Sequence, residues 1–302
     1  MFDDPFAIVL DCAGRPLVLD RPRVVGILNV TPDSFSDGGA FADTDAAVAH
    51  GLAMAEQGAD MLDVGGESTR PGADDVPLDE ELRRVIPVIE QLAARTELPI
   101  AVDTSKPEVM RAAVAAGAGM INDVYALRRE GAMDAAAELR VPVCLMHMQG
   151  EPRSMQDEPR YDDVVGEVHR FLADRLFACE LSGIDKRRVL VDPGFGFGKT
   201  LDHNLALLRA LERFADLGAG VYAGLSRKAM IGTLTGRAAG EARAAGSAAA
   251  ALIAVQRGAR MVRVHDVAAT VDALAVWRAV HEGDTPPRRD TRPPAPRWPD
   301  ED

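Results

Sequence analysis

Asp103, Asn122 and Asp192 each stand at the carboxyl end of a short apolar run. If those runs are strands that bring their ends together, two carboxylates and one carboxamide meet on one surface. Carboxylates accept from ring N–H and amino groups, and a carboxamide both donates and accepts, so such a surface suits a flat, nitrogen-rich heterocycle. Taken singly, the same residue types also read as helix N-caps or loop residues, because their side chains accept hydrogen bonds from nearby backbone amides. Convergence of three of them on one mouth is what separates the ligand reading from the local one.

The last two apolar runs lead into Ser226-Arg227-Lys228 and Arg263-Val264-His265-Asp266. Two basic clusters in that position suit an anion; the competing reading is ordinary surface charge. With 34 basic against 47 acidic residues the formal net charge is −13, so the average field repels phosphates and disfavours nonspecific nucleic-acid binding. An anionic substrate therefore needs a local pocket, for which Arg70, Lys228, Arg263 and His265 are the candidates. The six histidines form no HExxH pair and no Cys/His cluster has zinc spacing, which argues against a dedicated transition-metal site. Mg²⁺ remains open, since it takes few protein oxygens and many from water and phosphate; Asn29, after the first run, is the candidate ligand. There is no GxSxG elbow, which argues against acyl-enzyme chemistry. Residues 192–200 (DPGFGFGKT) fail both nucleotide motifs on spacing, because Pro193 stands where a P-loop needs its first Gly and Lys199 where a dinucleotide fingerprint needs its third.

The elements that must position these groups are eight apolar runs without polar alternation, at 24–28, 61–64, 100–102, 119–121, 141–146, 189–191, 221–224 and 261–264. Such runs read as strands buried on both faces, the mark of a parallel sheet. Helical periodicity fills the intervals, as at Val164, Val168, Phe171 and Leu172. Eight βα units favour a single (β/α)8 TIM barrel over an open doubly wound sheet, and place the site at the carboxyl ends of the strands. Residues 8–10 and 17–19 flank a turn and predict an N-terminal β-hairpin closing the barrel's lower end. The expected organisation is one domain, 1–282, and a disordered tail, 283–302, rich in Pro and charge. Cys12, Cys144 and Cys179 are too widely spaced for a disulfide framework, the acidic N-terminus lacks signal-peptide features and no run spans a bilayer, so a cytoplasmic location is expected.

Several segments together resemble one family. Residues 26–39 (GILNVTPDSFSDGG) and 65–72 (GGESTRPG) are similar to the two signatures of the dihydropteroate synthases, and Val102-Asp103-Thr104-Ser105, Ile121-Asn122-Asp123, residues 192–199, Ser226-Arg227-Lys228 and Arg263-Val264-His265-Asp266 look like later motifs of that family. The likeness runs from about residue 15 to 280. It implies a pterin-binding barrel that joins p-aminobenzoate to 6-hydroxymethyl-7,8-dihydropterin diphosphate and releases pyrophosphate, with Mg²⁺ as cofactor and a homodimer as assembly. By that resemblance Asp103, Asn122, Asp192 and Lys228 hold the pterin and Met146 packs against it. Asn29, Arg263 and His265 take the Mg²⁺ and diphosphate end, while Phe35, Thr69, Arg70, Pro71, Phe197 and Ser226 line the p-aminobenzoate pocket. Asp103, Lys228 and Arg263 carry the catalytic roles. The competing functions are a pterin-binding methyltransferase serving a corrinoid partner, disfavoured by residues 69–71, and a pterin-binding protein without turnover.

Overall fold

A computed structural model describes residues 8–31, 39–68, 75–150, 155 and 158–281. Eight parallel strands close on themselves in the order β10-β3-β4-β5-β6-β7-β8-β9. They are β3 (Arg23–Asn29), β4 (Met61–Gly65), β5 (Ile100–Asp103), β6 (Met120–Asp123), β7 (Val143–Met146), β8 (Val189–Asp192), β9 (Gly220–Ala223) and β10 (Ala259–Val264). The barrel shuts where β10 pairs with β3 in the register Val262↔Val24. Every residue of β4 through β9 is buried, as expected of strands covered on both faces. Several strands run one or two residues past their apolar stretch, so that Asp103, Asn122, Asp123 and Asp192 belong to the sheet itself.

The connecting helices are α1 (Gly39–Glu56), α2 (Leu78–Arg95), α3 (Pro107–Ala115), α4 (Ala132–Leu139), α5 (Val164–Leu181), α6 (Leu201–Arg209), α7 (Ala229–Thr235), α8 (Ala244–Gln256) and α9 (Val267–His281). Nine are described where the repeat pattern predicts eight, because two follow β9. The short α7 stops at Gly236, whose φ of 67° lies in the left-handed region that favours glycine at a helix C-terminus. The outer core packs the far side of the strands, such as Leu28, Leu62 and Val102, against helix residues such as Val88, Ile89 and Leu92.

A second apolar cluster fills the amino-terminal end of the barrel. Val25, Met61, Ala101, Met120, Cys144, Leu190, Tyr222 and Met261 point inward there, and Leu10, Cys12, Leu17 and Leu19 cover them. The covering residues belong to or flank the hairpin β1 (Val9–Cys12) and β2 (Arg15–Val18), which is thus the plug expected from the sequence. Its turn is tighter than expected. Only Ala13 and Gly14 lie between the strands, and Asp11 Oδ1 accepts the Gly14 N–H at 2.7 Å. All three cysteines are free and buried. No helix among the described residues is long and apolar enough to cross a membrane. Residues 283–302, the expected tail, lie outside the described residues.

Candidate active site at the carboxyl ends of the strands

The opposite end of the barrel opens into a cleft of about 1080 Å³. Asn29, Asp103, Asn122, Met146, Asp192, Phe197, Ser226, Lys228, Arg263 and His265 all line it, so the fold brings together candidates drawn from seven strands or the loops that follow them. Phe35, Thr69, Arg70 and Pro71 lie outside the described residues.

An Arg263 network forms the floor. Arg263 donates from Nε to Asp63 Oδ2 at 2.5 Å and from Nη2 to Asp103 Oδ2 at 2.7 Å, and Asn122 Nδ2 also donates to Asp63 Oδ2, at 3.0 Å. Burial opposes the guanidinium charge, but Asp63 and Asp103 outweigh it and hold Arg263 protonated. Burial lifts the Asp103 carboxyl to about 7; Arg263 pulls it down, and Asp63, Asp123 and Glu81 push it further up. Asp192, at the end of β8, is raised to about 6 by burial, against the Gly194 N–H on its Oδ1 and the charges of Lys228, Lys199 and Arg263. Two carboxyl groups that exchange protons near neutrality thus face one cleft, a pattern typical of functional sites.

The basic corner differs from its sequence reading in one respect. His265 is neutral across the physiological range, because burial and then Arg263 and Arg227 push it down to about 3. Its Nδ1 lies 3.0 Å from Ser226 Oγ, which also accepts the His265 backbone N–H at 3.1 Å. Arg227 is tied to Asp266 through Nε at 3.0 Å and Nη2 at 2.5 Å. Lys228 places Nζ 4.1 Å from the centre of the Phe197 ring, a cation–π contact joining the β9 and β8 loops.

Met146 lies with Val124, Met148, Met155 and Phe197 in a small apolar cluster suited to one face of a planar ligand. On the neighbouring side, Lys106 Nζ bridges Glu67 Oε2 and the fully buried Glu81 Oε2, both at 2.5 Å, while Glu67 Oε1 accepts the Val76 N–H at 3.2 Å. Thr104 Oγ1 donates to Glu81 Oε1 at 2.5 Å. These contacts bind the carboxyl ends of β4 and β5 to the start of α2. Among the described residues no group of three or more His, Cys, Asp or Glu is arranged to hold a metal ion.

Of two further participants, one is visible in sequence without its partner and the other without its role. Asp63 interrupts the apolar run 61–64, and a charge inside a buried strand was the available signal, but its partner lies 200 residues away. Lys199 shows in sequence as the residue that spoils a dinucleotide motif and ends the segment 192–199, yet it is 3 % exposed and lines the cleft.

A closed parallel barrel with a polar cleft at the carboxyl ends of its strands is the architecture of a barrel enzyme. The pterin binding enzyme family model matches residues 25–265, and the chain belongs to that family. It is 53% identical over 266 residues to a dihydropteroate synthase of Escherichia coli strain K12, covering 88% of this chain and 94% of that protein. The structure of a Xanthomonas albilineans dihydropteroate synthase with 4-aminobenzoic acid superposes with a TM-score of 0.87 at 68% identity, over 93% of this chain and all of that one. The same enzyme in complex with 7,8-dihydropteroate gives 0.83 at 64% identity, over 92% of this chain and all of that one.

Proposed function

We infer that this chain is a transferase that condenses p-aminobenzoate with 6-hydroxymethyl-7,8-dihydropterin diphosphate, giving 7,8-dihydropteroate and pyrophosphate in folate synthesis. The observation that carries the inference is the convergence of Asp103, Asn122 and Asp192 on one cleft that is also lined by Lys228, held against Phe197. The carboxylates accept the ring N–H and amino groups of the pterin. Asn122 has its carboxamide fixed by Asp63 and offers its oxygen, and Met146 covers a face of the ring. Phe197 and Ser226 line the cleft and are assigned to the arylamine, a role that the family resemblance also gives to Phe35, Thr69, Arg70 and Pro71.

No protein nucleophile is needed. The C–O bond to the diphosphate breaks with its electron pair leaving on oxygen, the electron-rich dihydropterin delocalises the resulting exocyclic cation, and the Asp103 carboxylate stabilises that charge. The arylamine nitrogen then forms the new C–N bond and releases a proton. Arg263 and His265 serve the diphosphate end, Arg263 as a cation shared with Asp63 and Asp103 and His265 as a neutral hydrogen-bonding imidazole. Asn29 fits Mg²⁺ because a carboxamide oxygen lines the same cleft as these groups, and Mg²⁺ requires only one or two protein oxygens beside phosphate. When bound, the ion would neutralise charge on the leaving group.

The same proposal takes the chain as one barrel domain, 1–282, with a Pro-rich tail, 283–302, acting in the cytoplasm as a homodimer. Exposed Ile253 on α8 and Val276 and Val280 on α9, neighbouring helices, support a self-association face. The test of the function is a pyrophosphate assay. Purified protein is expected to release pyrophosphate only when pterin diphosphate, p-aminobenzoate and Mg²⁺ are all supplied. Pterin binding without any release would replace this reading with that of a non-catalytic binding protein.

A further inference from the structure

The segment 192–200 carries a lysine that the reaction above does not use. Lys199 is 3 % exposed at the lining of the cleft, with its Nζ 2.9 Å from Gly194 O, 2.9 Å from Phe197 O, 3.4 Å from His147 O and 3.0 Å from His147 Nδ1. Two of these acceptors belong to the loop after β8 and two to the residue after β7. One ammonium therefore draws together two successive loops of the barrel.

Those loops deliver three of the cleft's lining groups: Met146 ends β7, Asp192 ends β8 and Phe197 sits within the turn that Lys199 closes. The loops are also in direct contact. A Cβ on Gly194, whose φ is 70°, would lie 1.9 Å from His147 O, so the approach that Lys199 secures is one only glycine permits. The Gly194 N–H is the donor on Asp192 Oδ1 at 2.7 Å, and the Phe197 ring is the platform for Lys228. His147 is kept in place on its other side by the edge of Phe171, with ring centroids 4.8 Å apart.

We propose that Lys199 is a positioning residue for the transfer reaction: its buried ammonium clamps the β7 and β8 loops, and so sets Asp192 against the pterin and Phe197 beneath Lys228. Burial lowers the lysine to about 7, with Asp192 opposing and Lys228 adding to the shift, so the buried cation is held only by the acceptors gathered around it. Removal of the charge frees three carbonyls and an imidazole from their common donor, and leaves the two strand ends joined by the His147 N–H bond to Asp192 O, at 2.9 Å.

The proposal rests on the function inferred above and is tested on the full chain with Lys199→Met, which keeps length without charge or donors, and Lys199→Gln, which keeps donors without charge. The KM for pterin diphosphate is expected to rise by about tenfold or more in Lys199→Met, the scale of loss when binding groups lose alignment, and to recover partly in Lys199→Gln. Calorimetric affinity for inorganic pyrophosphate with Mg²⁺, whose proposed groups lie on β3, on β10 and directly after β10, is expected to stay within about twofold of wild type. Unchanged KM in both variants overturns the clamp, and so does an equal loss for pterin diphosphate and pyrophosphate, which marks general distortion. If Lys199→Met fails to fold, Lys199→Gln alone decides between these outcomes. Wild-type protein that binds no pterin would instead remove the function on which the clamp depends.

Discussion

The two ends of this barrel are built from the same strands with opposite chemistry. β5 carries Ala101 at the plugged end and Asp103 at the cleft; β6 carries Met120 and Asn122, β8 Leu190 and Asp192, and β10 Met261 and Arg263. Two residues along a strand return the side chain to the same face, so each pair points into the barrel at successive heights. At the lower height the hairpin leucines seal an apolar layer, and at the upper height the inward groups are polar and meet the open cleft. The comparison separates two duties: the lower layer fixes the barrel's shape by burial, and the upper layer spends some of that stability to hold charges where a ligand needs them.

The sharpest way to break this division is Arg263→Ala. The change removes the one cation shared by Asp63 and Asp103, of which Asp63 has a side-chain exposure of 0%. Unpairing a buried charge of this kind costs about 3–5 kcal/mol of stability. Turnover is expected to fall by about 10²–10³, the scale of losing one preorganised electrostatic partner. Thermal unfolding and steady-state rates measure the two losses, and adding Asp63→Asn should restore part of the stability but little of the rate. Full recovery of rate in the double variant would show that Arg263 serves only to neutralise Asp63.

Leu10→Ala makes the complementary test at the plugged end. Leu10 is fully buried beneath the barrel, so truncation is expected to cost about 2–5 kcal/mol through lost burial and the cavity left behind. Below the melting transition kcat/KM should stay within about twofold of wild type, since no described residue belongs to both the hairpin cluster and the cleft lining. A loss of activity in the folded protein as large as that of Arg263→Ala would erase the distinction between the two layers.

The division of labour was partly legible in sequence, for reasons that differ by residue. The apolar runs showed the strands because both faces of a parallel barrel are covered, and Asp103 and Asp192 stood out because a carboxylate at the end of such a run has few apolar uses. What stayed hidden was contact across the barrel. Asp63 could be seen interrupting a strand, but its Arg263 partner follows from closure of β10 on β3, which sequence order does not display. Helix α7 was missed because its seven residues complete too few turns to show a periodicity. The neutral state of His265 depends on burial and on Arg263 and Arg227 around it, quantities that no spacing rule contains.

The smallest effect expected, and the one that most finely distinguishes the upper layer, is its response to pH. Burial raises Asp103 to about 7 and Asp192 to about 6 from an ordinary 3.8. In the unliganded native chain these carboxyls keep protons that the denatured chain has already lost, so between about pH 4 and about pH 7 they make stability fall as pH rises. Binding has the opposite sign. A pterin that donates N–H groups needs the ionised carboxylates, so its affinity should fall as pH drops through the same window, by up to about tenfold per unit for each proton displaced. Calorimetric titration with pterin diphosphate from about pH 5 to about pH 8 is the measurement, and Asp192→Asn should bind more weakly and lose the part of the slope nearest pH 6. An affinity that does not change over that range would mean that neither carboxylate accepts a ligand proton donor, and the polar layer would need another purpose.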